Sequence, residues 1–299
     1  MATIAEAQQK VVVAEHPHVA TLILNVRAGA IQVMATPRAT LEAALRAAGY
    51  VLAAKHDLDE SPEEQWHAFL QSPTPVVFVA GGDGTLRDAA ARLIGGETIL
   101  APLPGGTMNR LCVQLGLPVD PLAAIDAYKD ARVANLAVGS ANSIVFLYQA
   151  IVGEPTRLLR FREMQRGSGA LGWRPLLCAL LRGLARPGHA LLLVRIDRRK
   201  RRRGQAVVVT VPAPDASPML TVDLAQPRNA LHRLRQAWRW FRGRLAEDAM
   251  VRSTSLSHLV VHSPLRAVRL SLDGEVYFTK SPVRFRLHRK ALRILVARP

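Results

Sequence analysis

Residues 76–88, Val-Val-Phe-Val-Ala-Gly-Gly-Asp-Gly-Thr-Leu-Arg-Asp, constrain the fold of this 299-residue chain more than any other stretch. Val76 to Ala80 is a short apolar run after Pro73 and Pro75, the pattern of a buried parallel strand. Gly81, Gly82 and Gly84 then permit a tight turn whose backbone amides can approach a phosphate with no Cβ in the way. Thr85 is placed to cap a following helix, whose N-terminus favours an anion. Asp83 stands inside that turn, where it would repel a bare phosphate. A carboxylate there makes chemical sense beside a divalent metal or a reacting hydroxyl. Such a turn can also be a plain connection, so it does not decide the chemistry by itself.

About twenty residues later the pattern returns. Thr98 to Ala101 is another short apolar strand, followed by Pro104-Gly105-Gly106-Thr107-Met108-Asn109. Two loops rich in glycine and threonine thus leave the carboxyl ends of two successive strands, the edge where open α/β sheets bind ligands. Around them the chain alternates. Strands are expected at 19–26 and 50–54, and helices at 40–48, from Pro62, at 85–94 and at 107–115, which describes a parallel sheet with helices on both faces. After Pro118 and Pro121 the alternation stops. Strands are then expected at 133–139, 143–152, 190–196, 205–211, 218–224, 256–262, 265–272, 275–279, 283–287 and 292–296. Helical patterns fall at 172–184 and 229–245. The fold class is α/β: a Rossmann-like parallel-sheet domain over 1–130, then a mostly antiparallel, β-rich domain from 131.

Charge divides the chain at the same place. Residues 1–130 hold 9 Lys/Arg against 14 Asp/Glu, and residues 131–299 hold 31 against 9, so the basic excess belongs to the second part. A basic half implies a polyanionic partner, an anionic membrane surface or nucleic acid. Two cysteines, Cys112 and Cys178, are too few for a disulfide framework, and a reducing, cytoplasmic setting is expected. The first 18 residues lack the charged-then-apolar plan of a secretory signal. The uncharged run 133–153 is long enough to span a bilayer, but Asn135, Ser140, Asn142, Ser143 and Gln149 interrupt it, so it reads as buried strands.

Three further stretches admit two readings each. Leu272-Asp273-Gly274-Glu275 is a hairpin turn by its Asp-Gly pair, or a carboxylate brought to the mouth of a nucleotide cleft to accept a proton. The run Arg198-Arg199-Lys200-Arg201-Arg202-Arg203 is a solvated hairpin tip, or a contact for anionic lipid or nucleic acid. In 229–245, Leu231, Leu234, Trp238, Phe241 and Leu245 make one stripe and arginines the rest, which suits core packing or an interfacial helix. His258 and His262 have no Glu partner for a zinc site, and neither a Gly-x-Ser-x-Gly elbow nor a Walker Gly-Lys-Ser/Thr occurs.

Gly81-Gly82-Asp83-Gly84-Thr85, Pro104-Gly105-Gly106-Thr107-Met108-Asn109 and Leu272-Asp273-Gly274-Glu275, in that order and spacing, resemble the diacylglycerol kinase catalytic-domain family, which includes bacterial lipid kinases and the sphingosine and ceramide kinases. The resemblance implies an ATP- and Mg²⁺-dependent lipid kinase whose second domain is β-sandwich-like and extends to about 290. The tail 291–299 would return to the first domain. By that resemblance Gly81, Gly82, Asp83, Gly84 and Thr85, with Gly105, Gly106, Thr107 and Asn109, hold ATP. Asn25 and Gly29 line the same pocket, Asp83 organises Mg²⁺ and water, and Glu275 is the general base. The partners implied are ATP, a lipid substrate and an anionic membrane surface rather than nucleic acid, with the protein peripheral on the inner face of the membrane.

The chain departs from the family pattern at several points. Val26 replaces a proline in the first turn, Arg110 stands where an Asp commonly follows the second loop, and Gly153-Glu154-Pro155 lacks the usual Asp. Ser217-Pro218-Met219-Leu220-Thr221 replaces an acidic segment that holds a structural metal in relatives. The rival readings are an NAD or sugar-phosphate kinase, which share the Gly-Gly-Asp-Gly loop, and a catalytically silent membrane- or nucleic-acid-binding protein on this scaffold.

Overall fold

The computed structural model describes residues 18–53, 61–153, 192–195, 201–214, 218–226 and 248–297, together with residues 232, 235, 236 and 239. Strands β1 (Val19–Leu24), β2 (Val51–Leu52), β3 (Val76–Gly81) and β4 (Ile99–Pro104) pair in parallel in the order β2-β1-β3-β4. Every residue of β3 and β4 is buried, as expected of strands covered by helices on both faces. The helices are α1 (Gly29–Gln32), α2 (Pro37–Ala47), α3 (Pro62–Gln71), α4 (Asp83–Leu93), α5 (Arg110–Gln114) and α6 (Pro121–Ala127). In α3 a capping box forms between Ser61 and Glu64, with Pro62 at the first turn.

The second half supplies β5 (Arg132–Ala141), β6 (Ile144–Phe146), β7 (Gln149–Gly153), β8 (Leu192–Arg195), β9 (Arg201–Gly204) and β10 (Ala206–Thr210). The last six strands are β11 (Leu220–Ala225), β12 (Val251–Leu256), β13 (His258–His262), β14 (Ala267–Leu272), β15 (Glu275–Lys280) and β16 (Val283–Val296). One sheet is wholly antiparallel, in the order β12-β11-β10-β7-β14-β15. It packs against the far end of the first sheet, which runs on as β4-β16-β13-β8-β9, with β5 beside β16 and β6 beside β5. Phe146, Val194, Leu259 and Phe285 from one layer meet Val152, Val209, Leu224 and Leu270 from the other in a common apolar core. The second half is therefore a β-sandwich joined edge to edge to the parallel sheet.

Strand β16 makes that join. The sequence suggests two strands, 283–287 and 292–296, but a single strand runs from Val283 to Val296. It bends at an irregularity between His288 and Leu292, where Lys290 takes φ 48°. Beyond the bend, Arg293 and Ile294 lie in parallel register with Ile99 and Leu100 of β4.

Several local expectations need correction. Helix α4 begins at Asp83, with Gly82 in the capping position and no side-chain cap, so Thr85 is not the cap but lies within the first turn. The expected helix 107–115 shrinks to α5, because Asn109 takes a left-handed backbone (φ 46°) that only then lets the helix start. The expected strand 143–152 breaks into β6 and β7 at Leu147 and Tyr148, and 256–262 breaks at Ser257. Strand β12 escapes notice in the sequence because its residues are mostly polar. The helical pattern at 172–184, residues 198–200 of the basic run, Glu154-Pro155, Ser217 and most of 229–245 lie outside the described residues.

Candidate active site

The two glycine turns touch backbone to backbone. Gly105 donates its N–H to the Gly81 carbonyl at 2.8 Å. A Cβ on Gly106 would lie 2.6 Å from the Gly82 Cα, and one on Gly105 would lie 3.0 Å from the Gly81 Cα. Glycine is needed at 105 and 106 for this close approach, a reason independent of any bound phosphate. Asn109 closes the second loop on itself: its Oδ1 accepts the Gly106 N–H at 2.8 Å and its Nδ2 donates to the Gly106 carbonyl at 2.9 Å. Thr107 stands exposed on the same loop.

The first turn, after β1, ties in from the other side. Asn25 donates from Nδ2 to Thr85 Oγ1 at 2.9 Å, and its Oδ1 accepts the Arg27 N–H at 3.1 Å. The Ala30 N–H donates to the Gly105 carbonyl at 2.8 Å. Thr85 lies so close under Gly81 that a Cβ there would meet its side chain at 2.6 Å. Gly29 opens α1 with nothing crowding it.

Asp83 joins α4 to α5. Its Oδ1 accepts the Arg110 N–H at 2.7 Å, so the residue that opens α4 also caps the start of α5. Burial pushes its carboxyl above the ordinary value of 3.8; the N–H groups of Arg110 and Leu111 and the charge of Arg110 oppose the rise, while the charge of Glu275 adds to it. Arg110 also places its guanidinium 5.2 Å from the centre of the Tyr148 ring, reaching into the second half of the chain.

The β14–β15 hairpin closes the site. Asp273 and Gly274 both take positive φ, 51° and 99°, which is the two-residue turn that Asp-Gly favours. The two carboxylates of this turn separate in role. Asp273 is buried, and its oxygens accept the N–H groups of Leu147 at 2.8 Å, Tyr148 at 2.8 Å and Gln149 at 2.9 Å. Those bonds are why the expected strand 143–152 breaks, since the N–H groups turn to a side chain instead of a neighbouring strand. Asp273→Ala leaves one buried and two part-buried donors unpaired and should cost about 2 kcal/mol or more, at roughly 1–3 kcal/mol for each fully buried unsatisfied group. Thermal melting checks this; an unchanged melting temperature would show that water replaces the carboxylate.

Glu275 is half-exposed and faces the start of α4. A methyl group at Gly84 would collide with its Oε1. Its Oε2 accepts from Arg87 Nη2 at 2.8 Å and from the Tyr277 hydroxyl at 2.8 Å. Arg87 is only 5% exposed, stacks 4.9 Å from the centre of the Tyr277 ring, and leaves Nη1 buried without a partner. Burial first, and then the bond to Glu275, push the Tyr277 hydroxyl well up, so it stays protonated and donates.

Residues 19–141 match the diacylglycerol kinase catalytic domain family. Over 79 residues the chain is 39% identical to a protein of Pseudomonas aeruginosa strain UCBPP-PA14 named "Probable lipid kinase YegS-like", which covers 26% of either chain. Over 91 residues it is 31% identical to a diacylglycerol kinase of Staphylococcus saprophyticus, covering 30% of either chain. The matched stretch thus spans about a quarter to a third of these curated relatives. The crystal structure of a diacylglycerol kinase from Bacillus anthracis str. Sterne has the same fold, with a TM-score of 0.67 at 17% identity over 94% of this chain and 98% of that one.

Within the matched stretch and the sandwich, the structure gathers Asn25, Gly81, Gly82, Asp83, Gly84, Thr85, Gly105, Gly106 and Asn109 into one cluster, with Glu275 against it. Gly29 and Thr107 lie at its margin. Sequence reading missed Arg87, Tyr277 and Tyr148. Arg87 carried a signal: it lies one helical turn after Asp83 amid Leu86, Ala89, Ala90 and Leu93, where a charge is costly unless paired. Tyr277 follows Glu275 by two residues on a strand, hence on the same face.

The residues present suit a nucleotide. The first N–H groups of α4 have no side-chain cap, and Gly82 carries no side chain to crowd an anion there, while Glu275 fills the space beside Gly84. Among the described residues no group of three or more His, Cys, Asp or Glu could hold a metal. A magnesium ion would be held by the phosphates and one carboxylate, Asp83, in keeping with its usual coordination by phosphate and water.

Proposed function

We propose that the protein is a lipid kinase, transferring the γ-phosphoryl of ATP to the hydroxyl of a diacylglycerol-like or sphingoid lipid. The observation that supports this most is the placement of Glu275, carried by the sandwich, against Gly84 at the uncapped start of α4. One oxygen of this carboxylate pairs with the buried Arg87, and the other, facing an anion cradle, suits a proton acceptor beside a phosphoryl donor. When bound, magnesium neutralises charge building on the transferred phosphoryl group.

In this reading the N–H groups of Asp83, Gly84 and Thr85 hold phosphate oxygens and the Asp83 carboxylate holds the metal. Arg87 and Tyr277 fix Oε2 of Glu275, leaving Oε1, which has no partner among the described residues, to take the acceptor proton. Phosphoryl transfer asks mainly for positioning and charge stabilisation, which these groups supply. No helix among the described residues is long and apolar enough to cross a membrane. The protein would work in the cytoplasm, peripherally on an anionic membrane.

Labelled ATP with a panel of diacylglycerols, sphingoid bases, NAD and sugar phosphates tests the reading. A labelled lipid separated by thin-layer chromatography is the expected product. Label on NAD or a sugar alone would move the chain to the small-molecule kinases, and no ATP turnover with any acceptor would leave a binding protein.

A further inference from the structure

We infer that the outer face of the first sheet, across β16, β13, β8 and β9, is the surface that docks onto an anionic lipid bilayer. These four strands contain no Asp or Glu. Register assigns their faces, because residues directly opposite on neighbouring strands point the same way. Leu259 pairs with Phe285, and Val261 with Val283 and Val194, all buried in the sandwich core. The intervening residues form the other face. Arg284 lies opposite Val260, which lies opposite Arg195; Arg286 lies opposite His258; His262 lies opposite Leu193, which lies opposite Arg203.

Arg195, Arg203, Arg284, Arg286 and His258 are exposed, while Val260 and Leu193 are half-buried at the centre. Among the described residues no carboxylate pairs with any of these four arginines. Like charges gathered on one face repel one another, so a grid of arginines without acids has an unmet electrostatic demand. A flat, laterally extended anion meets it. Among the described residues the face has no Phe, Tyr or Trp, since Phe285 points inward, so it lacks the usual stacking platform of single-stranded nucleic-acid binders. Its two apolar residues among exposed arginines suit a bilayer surface.

The face also adjoins the site. Arg284 donates its N–H to Asn142 Oδ1, and Asn142 Nδ2 donates to Thr279 Oγ1 at 2.9 Å. Thr279 is four residues along β15 from Glu275, about 13 Å at the usual rise of a strand. The arginine face is thereby tied to the strand that carries Glu275. The choice of a membrane as occupant rests on the lipid-kinase reading, but binding can be measured without ATP or acceptor.

The test is sedimentation of the full chain with phosphatidylcholine vesicles, with and without phosphatidylglycerol. The variant is Arg195→Glu/Arg284→Glu/Arg286→Glu. The control, with the same change of charge, is Arg46→Glu/Lys129→Glu/Arg252→Glu, all exposed and off this face. At about fivefold per basic residue, the first triple should lower the partition onto anionic vesicles on the order of a hundredfold. The control should fall far less, and both should melt as wild type does. Phosphorylation of a short-chain diacylglycerol in detergent should survive in the first triple. If that phosphorylation is absent in wild type while vesicle binding behaves as stated, the kinase reading fails and the surface stands. Equal losses in both triples, no wild-type binding to anionic vesicles, or preference for DNA over vesicles in competition overturns the surface.

Discussion

Glu275→Gln should lower kcat for lipid phosphorylation by about 10²–10⁴-fold, the usual range for loss of a general base. A lipid hydroxyl is a poor nucleophile at neutral pH, and Gln cannot accept its proton. The substitution keeps the shape of the side chain and leaves an amide oxygen for the bonds from Arg87 and Tyr277. ATP affinity should stay within about twofold, because the cradle is built from α4 and the glycine turns and not from Glu275. Gly84→Ala offers an independent check. Its methyl collides with Oε1, the far end of a flexible side chain on an exposed residue, so the fold should survive while the carboxylate swings away. Turnover should fall in the same direction. Single-turnover kinetics with calorimetric ATP binding measure both. Full kcat in Glu275→Gln, or loss of ATP binding together with kcat, would make the turn structural and remove the base.

Much of this site could be read from sequence because it is local. The strand-glycine-helix units around 76–88 and 98–109 declare themselves through short apolar runs and glycines, and the parallel sheet follows from them. The division of labour between Asp273 and Glu275 was less visible. Both stand in one hairpin turn, and only burial distinguishes the carboxylate that gathers three backbone N–H groups from the one that faces α4. Contacts between the two halves were invisible for a related reason. Arg87 meets Glu275 across 188 residues, and no spacing rule reaches that far. The continuity of β16 was hidden because its middle, His288 to Lys290, is polar and exposed, which reads as a loop. The strand survives there because β5 pairs with it on either side of the irregularity.

Asp83→Asn should reduce phosphoryl transfer by about 10²–10³-fold or more, the scale seen when one preorganised electrostatic group is removed, yet leave the protein at least as stable. The two effects have one cause. Asp83 is largely buried, and in the metal-free protein its charge is disfavoured by that burial. An amide keeps an oxygen for the Arg110 N–H, so the start of α5 remains capped. Without a charge it gives up whatever the carboxylate does for a metal and the phosphates. The pH dependence follows from the sign of the shift. The folded pKa lies above the unfolded value of 3.8, so the stability linked to protonating Asp83 is complete below 3.8 and is lost as pH rises through the folded pKa. Asn does not titrate, so the variant's advantage in melting temperature should open across that window and stay level above it. Mg-ATP should reverse the order, raising the melting temperature of wild type more than that of the variant, because a ligand stabilises the form it binds better. Turnover, and melting with and without Mg-ATP at several pH values, are the measurements. A variant with wild-type turnover would show that the carboxylate serves no chemistry. A variant that melts well below wild type at neutral pH would show that Asp83 is present to hold α5.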